Sequence, residues 1–182
     1  MLSVRLLLSI AKIYNLDSKA IDFVLVFPQA DLEEDIWMYL PSGFQVAGET
    51  EDDSDRHKLL KLNKSLYGLK QASYNWYEKR KTGLENRGFK PSKIDPCLYL
   101  REGMIVLTYM DNCIIVGNSI KEIDFFVNSM QNSSENCILT DERHIDKFLG
   151  IDIKNLKDGR FELTQPFLIK HIVKFLGLGM LS

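Results

Sequence analysis

Asp22 and Asp111 each interrupt a stretch that is otherwise apolar and rich in β-branched residues. Asp22 stands near the start of Ala20-Ile21-Asp22-Phe23-Val24-Leu25-Val26-Phe27, and Asp111-Asn112 is the short polar break inside Ile105 to Gly117. A carboxylate in a buried strand is costly unless it is paired, hydrogen-bonded or bound to a cation. At the tip of a hairpin it is held on rigid strands and still reaches solvent. If the two strands are neighbours in one sheet, with both aspartates at the same end, the carboxylates can share Mg²⁺, or Mn²⁺ in its place. Such an ion prefers a few carboxylates, waters and substrate phosphates to a closed protein cage. Two of these ions would activate a sugar hydroxyl and steady a leaving pyrophosphate, so the reaction class is nucleotidyl transfer. The same spacing also fits two structural aspartates, with Asp111-Asn112 serving only as a turn.

The elements that must position these residues follow from periodicity and turn chemistry. Residues 4 to 14 read as a mostly buried helix, opened by Ser3 as N-cap and ended by Asp17-Ser18. Ala20 to Phe27 reads as a buried strand and Ile36 to Leu40 as another, closed by Pro41-Ser42-Gly43. The polar, acidic stretch from Gln45 to about residue 57 reads as a mobile surface loop. Order resumes at Lys58 to Leu62. Leu66 to Ala72 leads into a long helix through Trp76 and Leu84, stopped at Gly88. Pro96 to Leu100, a Glu102-Gly103 turn and Met104 to Thr108 form a hairpin that feeds the central one. Ile120 to Met130 is an amphipathic helix with Ile123, Phe126, Val127 and Met130 as its apolar stripe. Lys147 to Ile153 and Arg160 to Leu163 flank Lys157-Asp158-Gly159 as a further hairpin, and a last helix runs from about Pro166 to Leu176. With so many hairpins the fold class is α+β, a mostly antiparallel sheet covered by helices, in a single domain over 1–182.

A chain of 182 residues that is 45% hydrophobic can bury a real core. It has no apolar run long enough to span a membrane. The three cysteines, Cys97, Cys113 and Cys137, and the three histidines lack the spacing of a zinc site or a disulfide framework. An intracellular setting, cytoplasmic or nuclear and not secreted, follows. Net charge is −2, yet the charge is segregated. Nine acidic residues and no Lys or Arg lie between Asp31 and Asp55, whereas Arg56 to Lys93 holds eleven Lys or Arg against Glu78 and Glu85. This segregation could build one basic face for phosphates, or only a solvated helix beside an acidic loop.

Longer strings now bear on the reading. Asp22 to Ala30, Ile36-Trp37-Met38 with Pro41 to Phe44, Leu66-Tyr67-Gly68-Leu69-Lys70-Gln71-Ala72-Ser73 with Trp76 and Tyr77, Asp95 to Tyr99, and Phe148 to Ile151 with Leu163-Thr164-Gln165 occur in that order. Together they resemble the copia-type retrotransposon reverse transcriptases over essentially the whole chain. The resemblance implies a polymerase palm with partial fingers, acting on an RNA or DNA template-primer and deoxynucleoside triphosphates as part of a pol polyprotein. It implies Asp22 and Asp111 as metal ligands, with Asn112 in the catalytic motif. Phe27 would lie under the incoming sugar and exclude a 2′-hydroxyl. Gln71, Tyr109 and Met110 would border the nucleotide, and Gly68, Lys70, Lys79, Arg80 and Lys81 the template-primer.

The sequence departs from that family at the hairpin tip, where Tyr-x-Asp-Asp is replaced by Tyr109-Met110-Asp111-Asn112. At about 4 Å and an effective dielectric near 20, one missing charge is worth roughly 4 kcal/mol per cation. That is on the order of a thousandfold in rate, so impaired catalysis is expected. Loss of a carboxylate also relieves repulsion in the metal-free site. The chain begins about twenty residues before Asp22, so a fragment of a polyprotein or a decayed copy is expected. An inactive remnant with residual template-primer binding, or with no function, is the alternative; an unrelated α+β interaction module would need the motif order to be coincidence.

Overall fold

The computed structural model describes residues 2–41, 59–133, 136–142, 145–156 and 160–178. The expected acidic loop, and Lys157-Asp158-Gly159, lie outside the described residues. Architecture is α+β with mostly antiparallel pairing, in two compact units.

The larger unit comprises Met1–Val24 and Thr82–Ser182. It is built on a six-stranded sheet containing β1 (Asp17–Phe23), β4 (Lys90–Pro91), β5 (Leu98–Arg101), β6 (Met104–Tyr109), β7 (Asn112–Gly117) and β8 (Leu139–Asp141). Their spatial order is β4-β5-β6-β7-β1-β8. β7 is central, and five of its six residues are buried, because both faces of the sheet are covered. Helix α1 (Leu2–Ile13) lies on one face. Its Val4, Leu7, Leu8 and Ala11 pack with Ile114 and Val116 of β7, Leu107, and Phe148, Ile151 and Ile153. These last residues come from β9 (Lys147–Phe148) and β10 (Ile151–Asn155), which with β11 (Phe161–Thr164) form a second, three-stranded sheet. Helix α4 (Ile120–Gln131) packs on β1 and β7 through its own stripe, Ile123, Phe126, Val127 and Met130. Ser119 caps it, its hydroxyl accepting from the Glu122 amide. Lys19 of β1, only 6% exposed, ties the layers together by donating to Asp124 of α4 and to Asp141 of β8, the latter at 2.7 Å. Helix α5 (Pro166–Phe175) buries none of its residues.

The smaller unit, Leu25–Lys81, holds α2 (Val26–Gln29), the β2 (Asp31–Tyr39) and β3 (Leu59–Lys64) hairpin, and most of α3 (Ala72–Glu85). The segregated charges of the sequence meet across this hairpin. Asp31 pairs with Lys64 in register and in charge, and Lys61 reaches Asp35 at 2.6 Å. Part of the expected basic face is therefore neutralised by the acidic run that precedes it.

Several boundaries differ from the sequence reading for identifiable reasons. The strand expected to run to Phe27 stops at Phe23. Pro28 has no amide hydrogen for a ladder, and Leu25 turns the chain at φ 50° into α2. Ser3 lies inside α1, not at its cap, and its hydroxyl donates to the Asp95 carboxylate. The helix ends at Ile13, before Asp17-Ser18, which instead open β1. β2 begins at Asp31, earlier than expected, with an irregularity before Ile36. The strand expected over Lys147 to Ile153 is split by a turn at Leu149 and Gly150, both at positive φ. Two-residue β4 and three-residue β8 had too little sequence to show a period.

Ile114→Ala, at a position with 0% exposure in the α1-facing core, is expected to cost about 2–5 kcal/mol of stability. Leu6→Ala, on the exposed side of α1, should stay within about 0.5 kcal/mol. Chemical denaturation of the two variants checks the difference.

Candidate functional site

The β1·β7 register brings the two informative strands together. Asp22 of β1 is the direct partner of Asn112 of β7, so their side chains stand on one face of the sheet, the face on which Ile114 and Val116 meet α1. The turn between β6 and β7 consists of Met110 and Asp111, with Tyr109 and Asn112 as the closing pair. Asn112 thus begins β7 and does not belong to the loop itself. Met110 takes a left-handed φ of 53°, which a two-residue hairpin turn demands. The turn is fastened to β1, because the Phe23 amide donates to the Asp111 carbonyl at 2.9 Å.

Charge at this corner is one-sided. The Asp22 carboxyl is held above its ordinary value of 3.8 by burial first, then by the charges of Asp111 and Glu142. Asn112 donates its Nδ2 to Asp111 Oδ1 at 2.7 Å. Glu142 was not anticipated from the sequence. Its amide donates to the Ala20 carbonyl at 3.1 Å, continuing the β1·β8 register, and this sets it diagonal to Asp22 on the same face. The only hint in the sequence was an acid in a polar stretch, since β8 itself carried no recognisable pattern.

The donor chemistry can be tested against a divalent cation. Asp22, raised by burial and by the neighbouring Asp111 charge, and Asp111 are the two carboxylates that could face such an ion, which would need waters and other oxygen donors to complete its shell. Among the described residues, no group of three or more His, Cys, Asp or Glu is arranged to hold a metal.

The remaining site candidates divide between the units. Tyr109 and Met110, 53% and 44% exposed, flank Asp111 at the hairpin tip. Phe27, Gly68, Lys70, Gln71, Lys79, Arg80 and Lys81 belong to the smaller unit. There, Phe27 is buried with its ring edge-on to Tyr67, centroids 4.6 Å apart. Gly68 has φ 95°, with nothing within 4 Å of where a Cβ would stand, so backbone conformation and not crowding calls for glycine. Gln71 donates to Glu34 at 2.8 Å, and Lys79 to the Gln29 carbonyl at 2.8 Å. Lys81 lies 3.5 Å from Glu78 and over the Tyr77 ring, and Arg80 is buried. Lys70 has an open side chain.

The family model described as reverse transcriptase (RNA-dependent DNA polymerase) matches residues 1–180. The chain belongs to this family. Among the relatives of this reverse transcriptase chain is the retrovirus-related Pol polyprotein from transposon TNT 1-94 of Nicotiana tabacum. It is 39% identical over 122 residues, covering 64% of this chain and 9% of the relative. The corresponding Pol polyprotein from transposon RE1 of Arabidopsis thaliana is 32% identical over 162 residues, 86% of this chain and 10% of the relative. The Ty1-BL Gag-Pol polyprotein of Saccharomyces cerevisiae is 24% identical over 152 residues, 81% of this chain and 8% of the relative. The reverse transcriptase is thus of the copia type, and the chain spans about a tenth of the length of these curated relatives. No helix among the described residues is long and apolar enough to cross a membrane.

Because the folded value of Asp22 is raised, its protonated form favours the fold. That contribution is fully present below the unfolded value of 3.8 and is lost as pH rises through the folded value. Asp22→Asn should therefore stabilise the metal-free protein at neutral pH, with the gain vanishing below about pH 3.8. Asn112→Asp would place a like charge directly opposite Asp22 and should destabilise it by about 0.2–1 kcal/mol. Thermal melts across pH in chelator-treated buffer read both effects, and stabilisation by Asn112→Asp at neutral pH would contradict the repulsion account.

Proposed function

We propose that this chain is the palm, with part of the fingers, of a copia-type reverse transcriptase whose catalysis is impaired at Asn112. The observation that carries the reading is the convergence of Asp22 and Asp111 at one corner of the six-stranded sheet, fixed by the β1·β7 register. Family membership supplies the reaction class and the partners: template-primer, deoxynucleoside triphosphate and the rest of a Pol polyprotein.

In the reaction, the primer 3′-hydroxyl oxygen attacks the α-phosphorus of the incoming nucleotide. The new phosphodiester forms as the bond to pyrophosphate breaks, and the hydroxyl proton passes to solvent. Asp22 and Asp111 would hold Mg²⁺, or Mn²⁺ in its place, which supplies charge stabilisation to the phosphoryl oxygens. The protein's part is positioning. The Phe23 amide and the β6–β7 pairing keep Asp111 from swinging away from Asp22. Phe27, buried and braced by Tyr67, would present a rigid ring that excludes a 2′-hydroxyl and so favours deoxynucleotides. Lys70 offers its open ammonium to template-primer phosphates. Lys79 and Lys81 would first have to leave the partners they hold.

A binding remnant without turnover is the second reading, and the Asn112 to Asp111 hydrogen bond favours it. A neutral amide there takes up one carboxylate oxygen and contributes no charge. Primer extension on an RNA template with Mg²⁺ and with Mn²⁺ separates the two. If the palm is sound, Asn112→Asp should raise synthesis on the order of a thousandfold, from the charge estimate above. If neither protein extends a primer yet both bind it with salt-sensitive affinity, the chain is the remnant.

A further inference from the structure

We infer that the carboxylate site of this chain takes one divalent cation, not the pair that family chemistry uses. The inference rests on the proposed function, because the cation in question is the one Asp22 and Asp111 would hold. Paired-ion sites set two dications roughly 3.5–4 Å apart, and the positive charges repel each other unless surrounding carboxylates offset them. Here Asp22 and Asp111 offer two negative charges. The residue directly opposite Asp22 is neutral, since Asn112 occupies that register position.

Asn112 also competes for its neighbour. Its amide donates to Asp111 Oδ1 at 2.7 Å, so one oxygen of that carboxylate is already engaged by a neutral donor. A second cation would compete with that hydrogen bond for Asp111 and would find at position 112 a neutral carbonyl oxygen in place of a carboxylate. Glu142 does not replace the missing ligand. It shares the sheet face with Asp22, but stands diagonal to it, opposite Ala20, with its side chain exposed. It adds to the negative field without completing a three-ligand group. The geometry therefore supports one ion with waters and nucleotide phosphates. A chain of this kind would retain metal-linked nucleotide binding while failing to activate the primer hydroxyl.

The test counts Mn²⁺ bound per chain, by calorimetric titration and by the electron paramagnetic resonance signal of free Mn²⁺, with Mn²⁺ alone as the probe. The native chain is expected to bind one ion, Asp22→Asn none, and Asn112→Asp two. Asn112→Ala frees Asp111 without adding charge and is expected to stay at one. Two Asp22-dependent ions in the native chain, or in Asn112→Ala, would overturn the inference and leave the Asp22–Asp111 reading standing. So would a count of one in Asn112→Asp. Undiminished binding by Asp22→Asn, or no binding by any of the four proteins, would overturn the reading of the site along with the inference. Circular dichroism of each variant confirms that the comparison is made between folded chains.

Discussion

The pairing of β1 with β7 is the constraint on which the rest depends. It runs from Asp17 opposite Gly117 to Asp22 opposite Asn112, six consecutive pairs. A slip of one residue would turn Ala20 and Asp22 to the α4 side and Lys19 and Ile21 to the α1 side. The core cannot accept that exchange. Ile114 and Val116 are committed to α1, and Lys19 must reach Asp124 and Asp141. The same register that satisfies the core therefore sets Asp22 beside the hairpin tip, so the site is fixed by packing well away from it.

The molecule treats charge differently in different places. On the β2–β3 hairpin, acids and lysines neutralise one another pair by pair. Beneath α4, a buried ammonium is matched by two carboxylates, one from a helix and one from a strand. At the Asp22 corner the negative groups gather with no basic side chain among those that perturb Asp22, and their charges add to burial, the larger cause, in displacing its carboxyl upward. Such a concentration of like charge at one corner of an otherwise balanced fold marks that corner as the candidate functional site. Asn112 lessens that concentration. Under the proposed function, that would ease repulsion in the metal-free fold and weaken the hold on a cation, the direction a stability–function trade-off takes.

Much of the scaffold was legible because its signals are local. The α4 stripe at Ile123, Phe126, Val127 and Met130, the Gly103 turn, the long helix ending before Gly88 and the central hairpin all follow from periodicity and turn chemistry, and all are present. The copia-type family was legible for a related reason, since its motifs are contiguous strings. Less local features do not show in the sequence. The end of β1 at Phe23 required weighing Pro28 against an unbroken apolar run. The role of Ser3 depended on Asp95, which is ninety-two positions away.

What the sequence determined by itself was the inventory: two aspartates in apolar settings, a neutral residue after the second, and the hairpins and helices to carry them. Only the tertiary structure decided which groups meet. It made Asn112, and not Asp111, the direct neighbour of Asp22. It brought Glu142 to the same face through β8, a strand too short to announce itself, and it spent part of the basic run on the acidic run before it. Local propensity depends on neighbours along the chain, whereas register and charge pairing depend on which distant segments the core holds together.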